Sequence, residues 1–376
     1  MQNPFSSYFI GGFECADHIN RSGERINLLK ETEHHIRAQE DYQLLKEIGI
    51  TSVREGIVWS AVETAEGEFD FSEVSNRMQI AEKMGIQISW DLIHFGYPDG
   101  LFPTHPKFCE RFENLTRAFA IFYKENFSQP LLVCPINEIS FLAWFSGEAR
   151  GTVPYAIGNG WDIKYHLCKA AIRSIEILKE IIPDCTVLTI EPLVKVLPDK
   201  NTSLEELSKI NEYQFEAADM ISGRLCPELG GKEEYLEILG ANYYWNSQWT
   251  GVDNSLQWPD PQKERMLFHL MLQELYDRYK KPIFLSETGH FGTGRVEWIE
   301  EVTNECTIAN SHGVPIWGIC IYPVTDRPDW DNLLIYSNCG IFDLDAMGNR
   351  IPEQSYVNSI KKLDLENSYL LQNSRF

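Results

Sequence analysis

The chain has 376 residues, 43% of them apolar, and carries 33 Lys and Arg against 55 Asp and Glu, a net charge of −22. A surface that negative repels phosphate backbones and anionic headgroups, which argues against nucleic acid or a membrane as partner. Length alone admits several average domains or one large barrel, because α/β barrels exceed 200 residues as single domains.

The opening MQNPFSSYFIGGF has no basic segment followed by a sustained apolar run, so no secretory leader is expected. No stretch of about 18 apolar residues offers a membrane span. The nine Cys are scattered, without a CxxC pair or a zinc-spaced His/Cys cluster. Buried free thiols in a reducing cytoplasm are the expectation, with no metal and no cofactor.

In chain order, eight short β-rich runs alternate with longer patterns: Tyr8–Phe13, Ser52–Glu55, Gln87–Leu92, Leu131–Ile136, Thr186–Ile190, Glu237–Tyr243, Pro282–Ser286 and Pro315–Ile321. Between them stand HIRAQEDYQLLKEIG, SEVSNRMQIAEKMG, DIKYHLCKAAIRSIEILKEI, SLEELSKINEYQFEAADMI, PQKERMLFHLMLQELYDRY, VEWIEEVTNECTIANS and SYVNSIKKL. Each repeats apolar residues at i, i+3, i+4 and i+7, the stripe a helix needs to cover a sheet. KEIG, EKMG and NSHG each end on Gly and run directly into an apolar strand, which reads as a left-handed helix stop followed by a parallel strand. Eight such units predict a single (β/α)₈ barrel over residues 1–376, with a polar tail over 365–376. A dinucleotide-binding open sheet would want GxGxxG after its first strand; the nearest candidate, GHFGTG, follows the seventh.

Barrel active sites lie at the carboxyl ends of the strands. The polar residues there are Glu14, Asp17, His18, Arg54, Glu55, Asp91, His94, Asn137, Glu138, Glu191, Asn242, Tyr244 and Glu287, then Asp326, Asp329 and Trp330 beyond the eighth run. Glu138 and Glu287 stand out because strong strand signals, LLVCPIN and PIFLS, precede them. Cleavage of a glycosidic bond needs one carboxylic acid to protonate the leaving oxygen and one carboxylate to meet the oxocarbenium-like centre; a separation of about 5–5.5 Å gives retention. Arg54 is expected to hold Glu287 ionised and Tyr244 to donate to the same carboxylate. Glu138 then needs its acidity lowered by burial and by the neighbouring charge, and Asn137 is expected to point its amide at a sugar hydroxyl. Trp59, Trp90, Trp144, Trp245, Trp317 and Trp330 fall near strand ends, where an indole suits the apolar face of a pyranose; Trp317 and Trp330 are favoured by position. His34 and His35 lack partners at metal spacing.

Taken in order, YFIGGFECAD, SVREGIVWS, GEFDFSEV, DLIHFGYPDGL, INEISF with GEARGTVP, LGANYYW, LSETG, and WGICIYPVTDRPDW with CGIFDLDAMGNRIP resemble the motifs of glycoside hydrolase family 1 and, more widely, the clan A barrels. The resemblance runs almost end to end. It implies a retaining β-glycosidase with Glu138 as acid/base and Glu287 as nucleophile. Arg54, His94, Asn137 and Tyr244 would be supporting residues, and Trp317, Asp329 and Trp330 would contact the sugar. The family's first-strand Gln has no clean counterpart; Glu14, Asp17 and His18 are the candidates. Ile139 replaces the family's Pro and Thr288 its Asn, marking a divergent branch. The IYPVTDRPDWDN stretch, three Asp to one Arg, argues for a non-phosphorylated glycoside as the small-molecule partner. Two other readings of the same residues are transglycosylation and a non-catalytic sugar-binding barrel.

Overall fold

The computed structural model describes residues 2–251, 254–260 and 264–373, with side chains described as far as Asn367. Eight parallel strands form one closed barrel: β1 (Phe9–Gly12), β2 (Ser52–Gly56), β3 (Gln87–Ile93), β4 (Leu132–Ile136), β5 (Thr186–Pro192), β6 (Ile238–Asn242), β7 (Ile283–Thr288) and β8 (Ile316–Ile321). Each pairs with its chain neighbours, and β1 closes the ring by pairing with both β2 and β8, with Ile10 opposite Ser52 on one side and Cys320 on the other. This is the (β/α)₈ architecture that the alternating pattern predicts.

Amphipathic helices cover the outside: α1 (His34–Glu47), α2 (Ser72–Met84), α3 (Phe108–Asn126), α4 (Gly160–Ile181), α5 (Glu216–Ile221, preceded by Leu204–Glu212), α6 (Phe268–Tyr279), α7 (Gly294–Ser311) and α8 (Gln354–Asn373). The three glycine stops hold: Gly49, Gly85 and Gly313 have φ of +91°, +69° and +86°, conformations that glycine adopts without a Cβ penalty. Helix α3 is absent from the periodic stretches read in the sequence, although it buries Phe108, Phe112, Leu115 and Phe119 against the barrel. Helix α6 begins at Phe268 rather than near Pro261; residues 261–263 lie outside the described ones. The segment expected to be a polar tail instead continues α8 to Asn373. Its packing explains this: Asn367 accepts from Thr307 Oγ1 on α7 at 3.0 Å and caps the Leu363 carbonyl at 2.8 Å.

Most of the core lies between barrel and helices, and it contains Trp59 and Trp90, both fully buried among Phe108, Phe112 and Phe119. A separate apolar plug fills the barrel's interior, made of Phe5, Ile10, Leu132, Leu188, Phe284, Trp317 and neighbours. Above that plug, the carboxyl ends of the strands carry the buried polar groups Arg54, Asp91, Asn137, Glu138 and Glu287. Behind β2 a buried ionic network of His34, Asp41, Glu55, Arg77 and Arg350 ties α1 and α2 to the β8–α8 connection. His34 is therefore a structural histidine, its two nitrogens at 2.7 Å from Asp41 and 2.8 Å from Glu55.

Candidate active site

Arg54 organises the mouth of the barrel. It sits on β2 and is 1% exposed. Its guanidinium donates to Glu287 Oε1 at 2.7 Å, to Asp91 Oδ2 at 2.7 Å, to Asn137 Oδ1 at 2.7 Å and to the Ser286 carbonyl at 3.0 Å. A planar fork of donors can hold groups from β3, β4 and β7 at once, which a point-charge ammonium cannot. Tyr244, two residues past β6, donates to Glu287 Oε2 at 2.8 Å. Each oxygen of Glu287 thus has a donor, one of them cationic.

Glu138 has the opposite environment. It lies two residues beyond β4, 8% exposed, and its side chain takes a hydrogen bond from Asn242 Nδ2 at 2.9 Å. Asn242 is oriented in turn by Ser286, whose hydroxyl donates to its Oδ1 at 2.6 Å. Burial first, and then the Glu287 charge, push the Glu138 carboxyl up to about 8. The mouth therefore holds one carboxyl bonded by donors on both oxygens and another raised by burial, two different environments of the kind that separate acid and base roles at one pH. Glu138 has φ of +48°, a left-handed backbone that costs a non-glycine residue roughly 1 kcal/mol. Observed strain of this kind at a mouth residue points to a constrained function.

The other predicted residues divide. His94 lies in the group, but both ring nitrogens are engaged, Nδ1 with Asp91 at 2.8 Å and Nε2 with the Tyr322 hydroxyl at 3.1 Å. Burial opposes its charge, yet Cys15 and Asp91 outweigh it and raise the imidazole well above its ordinary range. Asn137 is fully buried; its Oδ1 serves Arg54, while its Nδ2 has no partner among the described residues. Trp330 stands half-buried in an aromatic wall, its ring edge-on to His18 at 4.7 Å and to Phe95 at 5.4 Å, with an indole N–H unpartnered among the described residues. Trp317 is a correction. It is the second residue of β8 and points into the apolar plug beside Phe284, about 13 Å below the mouth at a strand rise of about 3.3 Å. The residue that reaches the mouth directly after β8 is Tyr322. Asp329 is also corrected: it is exposed, and its carboxylate accepts from the Asp331 and Asn332 amides to hold a turn.

Four residues of the site escaped the sequence reading or were left open in it. Tyr322 donates to Glu14 Oε1 at 3.0 Å. Glu14, 3% exposed, also meets Arg327 Nε at 3.3 Å, and Arg327 lies 5.9 Å from the Trp330 ring. His18 is buried with both nitrogens unpartnered among the described residues, and burial, with Arg25's charge, lowers it to about 3, so it is a neutral donor and acceptor. Asp17 instead accepts from the Ser60 amide and ties the loop after β1 to the one after β2. Of the three first-strand candidates, Glu14 and His18 face the site. The strand-eight loop reverses the charge argument drawn from its composition. Asp326 turns to the Cys339 amide, and Asp329 and Asp331 are exposed, so Arg327 is the member of that loop that meets Glu14.

Cys15, Asp91 and His94 place ligand-type atoms within 4.8 Å of one another. Asp91 is already committed to Arg54 and His94, and His94 to Asp91 and Tyr322, so this group reads as a hydrogen-bonded cluster rather than as a cage with free lone pairs. No described helix is long and apolar enough to cross a membrane.

A closed parallel barrel with an acid–carboxylate pair and an aromatic wall at its mouth defines the architectural class. Within that class the chain is similar to sugar-cleaving barrels. A family model described as beta-galactosidase, of glycoside hydrolase family 42, matches residues 30–127. The fold is similar to that of a family 1 b-glucosidase from Thermotoga maritima, with a TM-score of 0.74 at 14% identity, covering 89% of this chain and 87% of that one. Beta-glucosidase from the same organism in complex with galacto-hydroximolactam gives 0.75 at 15% identity, covering 97% and 99%. Its complex with azafagomine gives 0.75 at 14%, again covering 97% and 99%. No curated protein sequence matches the chain.

Proposed function

We propose that the protein is a retaining β-glycosidase that hydrolyses a small, non-phosphorylated β-linked glycoside by double displacement. The observation that carries this reading is the contrast between Glu287, bonded on both oxygens by Arg54 and Tyr244, and Glu138, buried and pushed up to about 8. In the first step a Glu287 oxygen bonds to the anomeric carbon, the bond to the leaving oxygen breaks, and Glu138 gives that oxygen its proton. In the second, Glu138, now a carboxylate, takes a proton from water as the water oxygen attacks the anomeric carbon and Glu287 departs. Asn137 Nδ2, the Trp330 indole N–H and both His18 nitrogens are buried polar atoms without partners among the described residues. Such atoms cost about 1–3 kcal/mol each when unmet, and sugar hydroxyls are suited to meet them.

Glu14 at 3.3 Å offsets Arg327, so the cation beside the aromatic wall belongs to a neutral donor–acceptor pair. That pair fits hydroxyls better than a phosphate dianion, and it supports the non-phosphorylated reading on grounds other than loop composition. The test is a panel of nitrophenyl β-glycosides, including 6-phosphorylated ones, with the first-formed product anomer followed by NMR. Turnover of the neutral substrates with retained configuration is expected. Inversion rules out the covalent route, and a preference for the phosphorylated substrates rules out the assigned substrate class.

A further inference from the structure

Glu191 is a further, half-buried carboxyl near the mouth, and the chemistry above leaves it unused. It is the sixth residue of β5, and its oxygens accept from the Ser140 amide at 3.0 and 3.4 Å. The residue before it holds the acid itself, because the Glu138 amide donates to the Ile190 carbonyl at 2.9 Å. Two consecutive residues of β5 thus grip alternate residues of the turn that presents Glu138. That turn needs gripping, since Glu138 is left-handed and the helix Ile139–Gly147 starts directly after it. A helix's first amides have no intrahelical acceptor, so a carboxylate there fixes the turn and completes the helix end together.

The groups facing Glu191 come from several elements. Glu138 and Cys134 face it from the β4 side, and Lys164 and Cys168 from α4. Gln214 and Tyr279 line a small cavity with it between the barrel and the helices. Lys164 is committed elsewhere, at 2.6 Å from Glu216 and 3.0 Å from the Tyr213 carbonyl. The Lys164 charge still lowers Glu191, whereas Glu138 is joined to it through the backbone of the turn that β5 grips, and the Glu191 charge raises Glu138.

We propose that Glu191 is a positioning residue that orients Glu138 and electrostatically biases it through the helix N-terminus the two share. The proposal rests on Glu138 being the acid/base. Burial holds Glu191 at about 7 against the pull of the Ser140 amide, so it becomes charged as pH rises just below the point where Glu138 loses its proton. A negative charge behind Glu138 raises the cost of that loss, and the basic limb of activity is carried to higher pH. In the second displacement the same charge strengthens Glu138 as a base.

The experiment compares pH profiles of kcat/KM on an unactivated glycoside for the unsubstituted enzyme, E191Q, E191D and E138Q, with melting curves for each. E191Q keeps an oxygen for the Ser140 amide but loses the charge. Its basic limb is expected to move down by about half a pH unit, the scale of one charge acting through partly solvated protein, read as an about threefold loss at pH 8.5 with little change at pH 6. E191D, which retains the charge, is expected to restore most of the limb. A uniform loss at every pH, with the limb fixed, reduces Glu191 to a structural cap and overturns the proposal. If E191Q does not fold, the carboxyl ¹³C titration of Glu138 in the unsubstituted protein decides: two steps are expected, the lower following Glu191, and a single step overturns it. The two ideas fail separately. A basic limb that survives E138Q removes Glu138 from the acid role, whereas a limb lost in E138Q but unmoved in E191Q removes only Glu191.

Discussion

Replacing Glu138 with Gln should make the protein more stable while disabling it, and the size of the gain is set by the site's own electrostatics. The folded protein holds this carboxyl at about 8 against a reference of 4.5. A carboxyl raised in the folded state binds its proton more tightly there than in the unfolded chain. Its contribution is fully present below about 4.5 and is lost progressively as pH climbs to 8, because ionisation favours the unfolded state. At pH 7 the accumulated loss is about 3 kcal/mol. Gln keeps an oxygen for Asn242 Nδ2 and has no proton to lose. E138Q should match the parent near pH 4.5 and exceed it by about 3 kcal/mol at pH 7. For a chain of this size that is a rise in melting temperature of about 3–6 °C, extrapolating the size dependence from smaller domains. Paired thermal melts at the two pH values measure it. A gap that is the same at both, or one that narrows as pH rises, refutes the claim that burial keeps Glu138 protonated.

Tyr244→Phe removes one of the two donors to Glu287 and should lower kcat about 10- to 100-fold, the worth of a hydrogen bond to a charged group, with an unchanged melting temperature; an unaltered kcat contradicts the assignment. Arg54→Met leaves Asp91 and Glu287 buried without their cation and should cost about 3–5 kcal/mol of stability, measured by urea unfolding; a cost below 1 kcal/mol would show that the guanidinium is not the organiser described. Glu287→Gly should abolish turnover, and added azide should restore cleavage of an activated substrate by occupying the space of the lost carboxylate; absence of rescue counts against Glu287 as nucleophile.

The barrel was legible because most of its strand residues are buried and each strand centres on a short β-rich run, and because Gly49, Gly85 and Gly313 punctuate helix and strand where a left-handed stop fits. Helix α3 was harder to read, since its apolar face is carried by aromatics spread among charged residues in FCERFENLTRAFAIFYKEN. At the site, residues that end strands were legible, and so were the Arg54 and Tyr244 bonds to Glu287, whereas the partners of Glu138, Glu14 and His94 were not. Arg54, Asn137, Glu138, Tyr244 and Glu287 all announce themselves by following or ending an apolar run. Trp317 misled because position along a strand sets height in a barrel, and a Trp at the start of β8 belongs to the floor. Charge counting misled in the next loop for a related reason: it ignores direction, and the three Asp there bond backbone amides or face solvent while Arg327 meets Glu14. Sequence order lists Glu14 and Glu191 as mouth residues, but only folding shows what each one touches.

The account turns on a covalent bond between Glu287 and the sugar. A glycoside bearing fluorine at C2 and a good leaving group slows both displacements by destabilising the oxocarbenium-like centre, yet still loads the enzyme, so the intermediate accumulates. Intact-mass measurement followed by peptide mapping is predicted to find one glycosyl unit attached to Glu287. An enzyme that consumes its substrates but carries no added mass, or carries it on another side chain, contradicts the account.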